Sequence, residues 1–243
     1  MGAFVIVLRE AFEASLVIGL VLAFLNKTGQ RERHHGAVWQ GTAGAIVVSV
    51  AMGALLFAAF GELEGTAEAA YEGVAMLIAA TVLTWMLFWM RRQAKTIGGQ
   101  LRAQVGDAVA RGGGIALASV AFVAVAREGL ETALFLFVSV SDNGLLETII
   151  GGALGLAAAV GLGIALYRGS LKLDLRRFFL VTGLLVIAFA AYLLFSGLHE
   201  LGEAGGGEAF ETLGVVAAVA FAAGFGWLYT RDARQPAGEP KSA

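Results

Sequence analysis

Six ionisable side chains stand where an apolar sequence has no ordinary use for them. Arg9-Glu10-Ala11-Phe12-Glu13 lies inside one long hydrophobic run, and Arg127-Glu128-Gly129-Leu130-Glu131 lies inside another. At about 100° per helical residue, positions i, i+1 and i+4 stay on one face, so each motif turns its arginine and both glutamates to a common side. Carboxylate oxygens are hard donors, suited to Fe3+, Mg2+, Ca2+ or Mn2+ and tolerant of Fe2+, whereas soft Cu+ is disfavoured. The chain has no cysteine, which removes thiolate sites, thiol nucleophiles and disulfides together. Four carboxylates against two guanidiniums leave two negative charges over. A clasp that served packing alone would balance its charges; this surplus asks for a cation, with Arg9 and Arg127 holding the carboxylate oxygens in place by bidentate hydrogen bonds.

The elements that carry these motifs follow from composition. Of 243 residues, 58% are hydrophobic and only 15% charged, and the mean hydropathy is +0.77. Soluble domains carry about 25% charged residues, so this chain lacks the polar surface of a cytosolic enzyme, and its apolar content excludes a disordered one. A net charge of −2 leaves no basic surplus for nucleic acid. Thirty-four glycines against two prolines fit closely packed membrane helices. The composition describes an all-α integral membrane protein.

A bilayer core about 30 Å thick needs roughly 20 apolar residues in a helix. Runs of that length recur at about 3–25, 37–60, 71–90, 115–138, 145–167, 178–198 and 210–230, which predicts seven transmembrane helices. The first is read as a retained span, because no basic segment or small-residue cleavage site precedes its charges. Fifteen of the 17 basic residues, among them Lys27, Arg31, Arg33, Arg91, Arg92, Arg176 and Arg231, fall on one side of that arrangement. The positive-inside rule then places the N-terminus outside and the C-terminus in the cytoplasm. Trp39, Trp85, Trp89 and Trp227 fall near the same inner ends, as an interfacial belt would. Residues 91–114, with Ile97, Leu101, Val105 and Val109 four apart, read as an amphipathic helix on the inner leaflet or as an extension of the third span. Residues 231–243, with Pro236 and Pro240, read as a disordered cytoplasmic tail.

Counting along the first and fourth spans puts Glu10, Glu13, Glu128 and Glu131 about 7–10 residues from the outer surface, or roughly 10–15 Å at 1.5 Å per residue. The two motifs reach that level from opposite chain directions and lie 118 positions apart. Spans one to three and four to six therefore read as inverted repeats, residues 1–90 and 115–198, followed by a seventh helix within a single permease domain, 1–230.

Paired Arg-Glu-x-x-Glu motifs in spans one and four of a seven-span chain resemble the oxidase-dependent iron transporter family, which holds the fungal high-affinity iron permeases and the bacterial Efe-type permeases. The resemblance extends to Glu72-Gly73 at the start of span three, to Leu83-Thr84-Trp85-Met86 and Phe88-Trp89-Met90 at its inner end, and to Ser196-Gly197-Leu198-His199-Glu200 leaving span six. It implies uptake of iron, as Fe2+ or Fe3+, across the plasma or inner membrane. It also implies Glu10, Glu13, Glu128 and Glu131 as the iron-handling carboxylates, with Arg9 and Arg127 supporting them. Iron is then a transported substrate, with no permanent cofactor, and any oxidase or iron-donor protein is expected to be a separate extracytoplasmic chain.

Other features are less specific. The outer connections are acidic, with Glu62, Glu64, Glu68 and Glu72 before span three and Glu200, Glu203, Glu208 and Glu211 after span six. They read either as a funnel that concentrates cations or as the ordinary complement of basic inner loops. Glu72, His199 and Glu200, at span edges, are the residues a cation would meet first. His34 and His35 read as solvated side chains, and Met86 and Met90 as span-end packing. Two rival functions remain: a carrier of lead or manganese on the same scaffold, and an intramembrane hydrolase. The hydrolase fails on its ligands, because His199-Glu200-Leu201-Gly202-Glu203 has glutamate where a zinc protease needs its second histidine.

Overall fold

Apolar runs with no proline before residue 236 give the backbone no reason to break, and they fold into long helices. The computed structural model describes residues 2–60, 66–110, 114–168, 174–203 and 208–234. Among them are seven α-helices: α1 (Gly2–Lys27), α2 (Arg31–Phe60), α3 (Thr66–Ala110), α4 (Gly114–Asn143), α5 (Leu145–Tyr167), α6 (Leu175–Leu201) and α7 (Glu208–Arg234). Each predicted run lies within one helix. Five, α2, α3, α5, α6 and α7, contain stretches long and apolar enough to cross a membrane. α1 and α4 are as long, but their buried-motif charges give every 18-residue stretch at least three ionisable side chains. The residues that suggest a function are the ones that make these two helices poor spans by composition.

One boundary decides between two readings and one differs from expectation. α3 runs unbroken to Ala110, so residues 91–110 extend the third helix, while 111–113 lie outside the described residues. Val105 and Ala108 are buried with Ile18, Leu22, Leu25, Leu117 and Ala121, and this part of the stripe covers protein core rather than a lipid leaflet. α7 carries on through Arg234, which makes residues 231–234 helical; residues 235–243 lie outside the described residues.

The chain packs as two compact units. The first comprises Met1–Glu62 and Met90–Leu173, the second Leu63–Trp89 and Asp174–Ala243. In the first, α1 packs along α5, α2 along α4, and α1 also meets α4. The direction of each pair can be read from its small residues. Ala37 lies against Gly114, Gly41 against Ala118, Gly44 against Phe122 and Gly53 against Ala133, so α2 and α4 run parallel. Gly151 and Gly155 lie against Phe4 and Gly163 against Ser15, so α5 and α1 run parallel too. At Gly41 a side chain would collide with the Ala118 carbonyl, and at Gly155 it would come 2.6 Å from the Phe4 carbonyl oxygen. Both pairs thus depend on backbones close enough to exclude a Cβ.

Short links reverse the chain within each half. Gly29 at φ +68° turns α1 into α2, and Gly144 at φ +82° joins α4 to α5 alone, both in the left-handed region that favours glycine. Thr148 Oγ1 donates to the Ser139 carbonyl at 3.1 Å and ties the second hairpin. Since α4 follows α2, and α2 reverses α1, α1 and α4 are antiparallel. Exchanging α1 with α4 and α2 with α5 turns one parallel pair into the other.

In the second unit α6 packs on α7, where Tyr229 Oη donates to the Phe179 carbonyl at 2.8 Å and fills the space over Gly183. α3 and α6 touch where Gly73 and Gly197 each face the other's carbonyl oxygen. Asp174 caps α6 by accepting from the Arg177 amide at 3.2 Å. Trp85 and Trp89 stack with ring centroids 6.2 Å apart; Trp39, Trp85 and Trp227 are all exposed, as aromatic side chains that face a bilayer interface would be.

Candidate functional site

Both motifs lie in the first unit, midway along α1 and α4. The helical spacing acts as expected: Arg9, Glu10 and Glu13 are all buried on one side of α1. Arg9 Nη1 donates to Glu10 Oε1 at 3.2 Å, and Arg9 Nη2 lies 3.1 Å from Glu13 Oε1. On α4, Arg127 Nε donates to Glu131 Oε1 at 3.1 Å and lies 4.0 Å from Glu128 Oε1. Nearby hydroxyls are turned to their own helices: Ser15 Oγ donates to the Phe12 carbonyl and Thr132 Oγ1 to the Glu128 carbonyl, each at 2.8 Å. They leave the carboxylates to one another.

The antiparallel meeting of α1 and α4 brings the two motifs together. One carboxylate oxygen from each of Glu10, Glu128 and Glu131 lies within 4.8 Å of the other two. Glu13 is not of that trio; its place is beside Arg9. Glu10 Oε2, Glu13 Oε1, Glu128 Oε2 and Glu131 Oε2 are buried and accept no hydrogen bond. The Arg9–Glu13 contact is close enough for an ion pair but is not aligned as a hydrogen bond, which is why Glu13 Oε1 is among them. A buried carboxylate oxygen without a donor is costly, and three such residues with oxygens within 4.8 Å of one another could together hold a hard cation.

Glu72, His199 and Glu200 belong to the second unit. Glu72 precedes the Gly73–Gly197 contact and Glu200 follows it by three residues. Both are half-buried. His199 Nε2 lies 3.5 Å from Glu203 Oε1, and its ring stacks on Phe195 at 6.1 Å. Glu62 and Glu64, and the side chains of Glu68, Glu208 and Glu211, lie outside the described residues. His34 is buried in the first turn of α2 rather than solvated, while His35 accepts from Trp39 Nε1 at 3.1 Å.

Two neighbours of the motifs escaped the sequence reading. Ser49 on α2 packs its side chain onto Gly129, the middle residue of the second motif, where any Cβ would collide with it. Met90 on α3, read as packing, accepts from Arg9 Nη2 through Sδ at 3.3 Å. Nothing in the sequence marks either contact, since Met90 is 81 positions from Arg9 and thioethers seldom serve as acceptors.

Long apolar helices and a buried group of carboxylates are the two things a membrane transporter of cations needs. Residues 1–218 match the iron permease FTR1 family, and the chain belongs to that family. It is 38% identical over 204 residues, 83% of this chain and 74% of the relative, to the ferrous iron permease EfeU of Escherichia coli O6:H1. To the ferrous iron permease EfeU of Yersinia pestis it is 37% identical over the same length, 72% of that relative. No solved structure matches the chain. The protein is thus a multi-pass membrane transporter of an iron permease family, as the resemblance implied, and the hydrolase reading is set aside.

Proposed function

We propose that this protein takes up ferrous iron across the cytoplasmic membrane through a site made by its two Arg-Glu-x-x-Glu motifs. The observation that carries the reading is the trio of Glu10, Glu128 and Glu131, with oxygens within 4.8 Å of one another and donor-free carboxylate oxygens buried around them. Glu13 completes the set of four iron-handling carboxylates, and Arg9 and Arg127 offset part of their charge. With all six side chains ionised the group carries two negative charges, so Fe2+ brings it to neutrality and Fe3+ leaves it positive. Relatives named as ferrous iron permeases favour the same valence.

All seven helices span the bilayer in this reading, α1 and α4 included, because their charges face each other instead of lipid. The N-terminus is outside and the C-terminus cytoplasmic. The antiparallel α1 and α4 then present their motifs at one depth from opposite directions, the arrangement of inverted-repeat transporters. Iron arrives past Glu72, His199 and Glu200, from any separate oxidase or iron-donor protein, and rests between α1 and α4 before the site opens inward.

The test is uptake of radioactive Fe2+ into proteoliposomes. Glu10→Gln, Glu128→Gln and Glu131→Gln should each abolish it; normal transport by any two of them would refute the site. Manganese or lead outcompeting iron would transfer the proposal to that metal. Since the chain has no cysteine, single cysteines placed at residues 2 and 234 report topology directly, and labelling of both from one side would refute the seven-span reading.

A further inference from the structure

Arg9 Nη2 makes an aligned hydrogen bond to a weak acceptor although a stronger one lies as near. Met90 Sδ accepts it at 3.3 Å, while Glu13 Oε1, 3.1 Å away and formally charged, accepts no hydrogen bond from any donor. A thioether is a poor acceptor beside a carboxylate. An unconstrained guanidinium would therefore turn its fork onto the carboxylates. Its other terminal nitrogen donates to Glu10 Oε1 at 3.2 Å, and four buried carboxylate oxygens accept no hydrogen bond.

We propose that Met90 is a positioning residue that holds Arg9 at the edge of the carboxylate group, keeping those oxygens free to receive the cation. The proposal rests on the iron-site reading above and adds to it a residue from a third helix, α3, outside both motifs. The half-buried sulfur anchors one face of the guanidinium. Arg9 then offsets charge without occupying the place of the ion. With the sulfur gone, the Nη2 donor turns to the nearest donor-free oxygens, and the arginine becomes a competitor of the substrate. Iron must displace it at every cycle, so apparent affinity falls while turnover at saturating iron does not.

A packing role and a positioning role make opposite forecasts for two substitutions. Met90→Leu conserves volume but has no acceptor, and Met90→Gln has comparable reach and restores an oxygen acceptor. Fe2+ binding to the detergent-purified protein by anaerobic equilibrium dialysis, and the KM and maximal rate of Fe2+ uptake in proteoliposomes, separate them. Met90→Leu is expected to raise both the dissociation constant and KM on the order of tenfold, the effect of one misplaced charge-assisted hydrogen bond, with the maximal rate unchanged. Met90→Gln is expected to return both constants to within about twofold of the parent, a difference well below one hydrogen bond to a charged group. The proposal is overturned if Leu is tolerated, if Gln is impaired as much as Leu, or if the maximal rate falls while KM holds. Glu128→Gln is measured beside them. Normal binding by that variant would sink the iron site itself, whereas lost binding there with a normal Met90→Leu would sink only the role of Met90.

Discussion

The same five-residue pattern occurs twice and is used in two ways. In α1 the arginine is sealed, with 4% of its side chain exposed; it donates to Glu10 and lies at ion-pair distance from Glu13 through its terminal nitrogens. In α4 the arginine is 32% exposed and turns Nε to Glu131, leaving Glu128 at 4.0 Å. The first motif gives one carboxylate, Glu10, to the shared oxygen cage, and the second gives both of its own. The difference comes from the neighbours. Met90 of α3 caps Arg9, while on α4 the glycine between the two glutamates lets Ser49 of α2 come down onto the backbone. Two copies of a motif with identical helical geometry diverge through what packs on them.

That comparison is exposed to experiment at several strengths. The largest effect is expected for the shared cage: Glu10→Ala and Glu128→Ala should lower iron uptake by about a hundredfold or more, beyond the ~10–100-fold typical of groups that only support a metal site. Glu13→Ala should be milder, and a Glu13→Ala loss equal to that of Glu10→Ala in the same uptake assay would erase the three-and-one division. Next comes stability. Arg9→Met strands two buried carboxylates and should cost about 3–5 kcal/mol, whereas Arg127→Met, at a third exposed, should cost about 1 kcal/mol. Thermal unfolding in detergent reads the gap, and equal losses would mean that burial does not distinguish the arginines. Gly129→Ala should cost about 1–3 kcal/mol by overpacking against Ser49 and be relieved by Ser49→Gly in the double variant. The matching change in the first motif, Ala11→Gly, should cost only about 1 kcal/mol of helix propensity. Smallest of all, Tyr229→Phe in the second unit should lose about 1 kcal/mol for its hydrogen bond to Phe179 and leave iron uptake unaltered.

Much of this was legible in the residues because the physics is local. Long apolar runs forecast every helix, and the i, i+1, i+4 spacing forecast that Arg9, Glu10 and Glu13 would share a face. What stayed hidden was relational. No periodicity says that α2 runs beside α4 and α1 beside α5, since small residues such as Gly41 and Gly155 look alike whatever they touch. The division of labour between the motifs was equally invisible, because it hangs on Met90 and Ser49, which carry no charge and no motif. The extension of α3 was seen as one of two readings; the unbroken helix to Ala110, with Val105 buried in one cluster with Leu25 and Leu117, decided between them. Burial of His34 had no signal at all, because a histidine among basic residues looks solvated from sequence.

The side-by-side pairing of α1 with α5 and of α2 with α4 bears on how the protein is made. Neither half owns the companions of its own first two helices, so a nascent chain that has emerged only through α3 holds Arg9, Glu10 and Glu13 with no opposite number. Their counterparts Glu128 and Glu131 come only with Gly114–Asn143, and the packing companion of α1 only with Leu145–Tyr167. A chain cut short before α5 is therefore expected to leave the first motif unpacked, and pulse-chase labelling should find it degraded faster than the full-length protein.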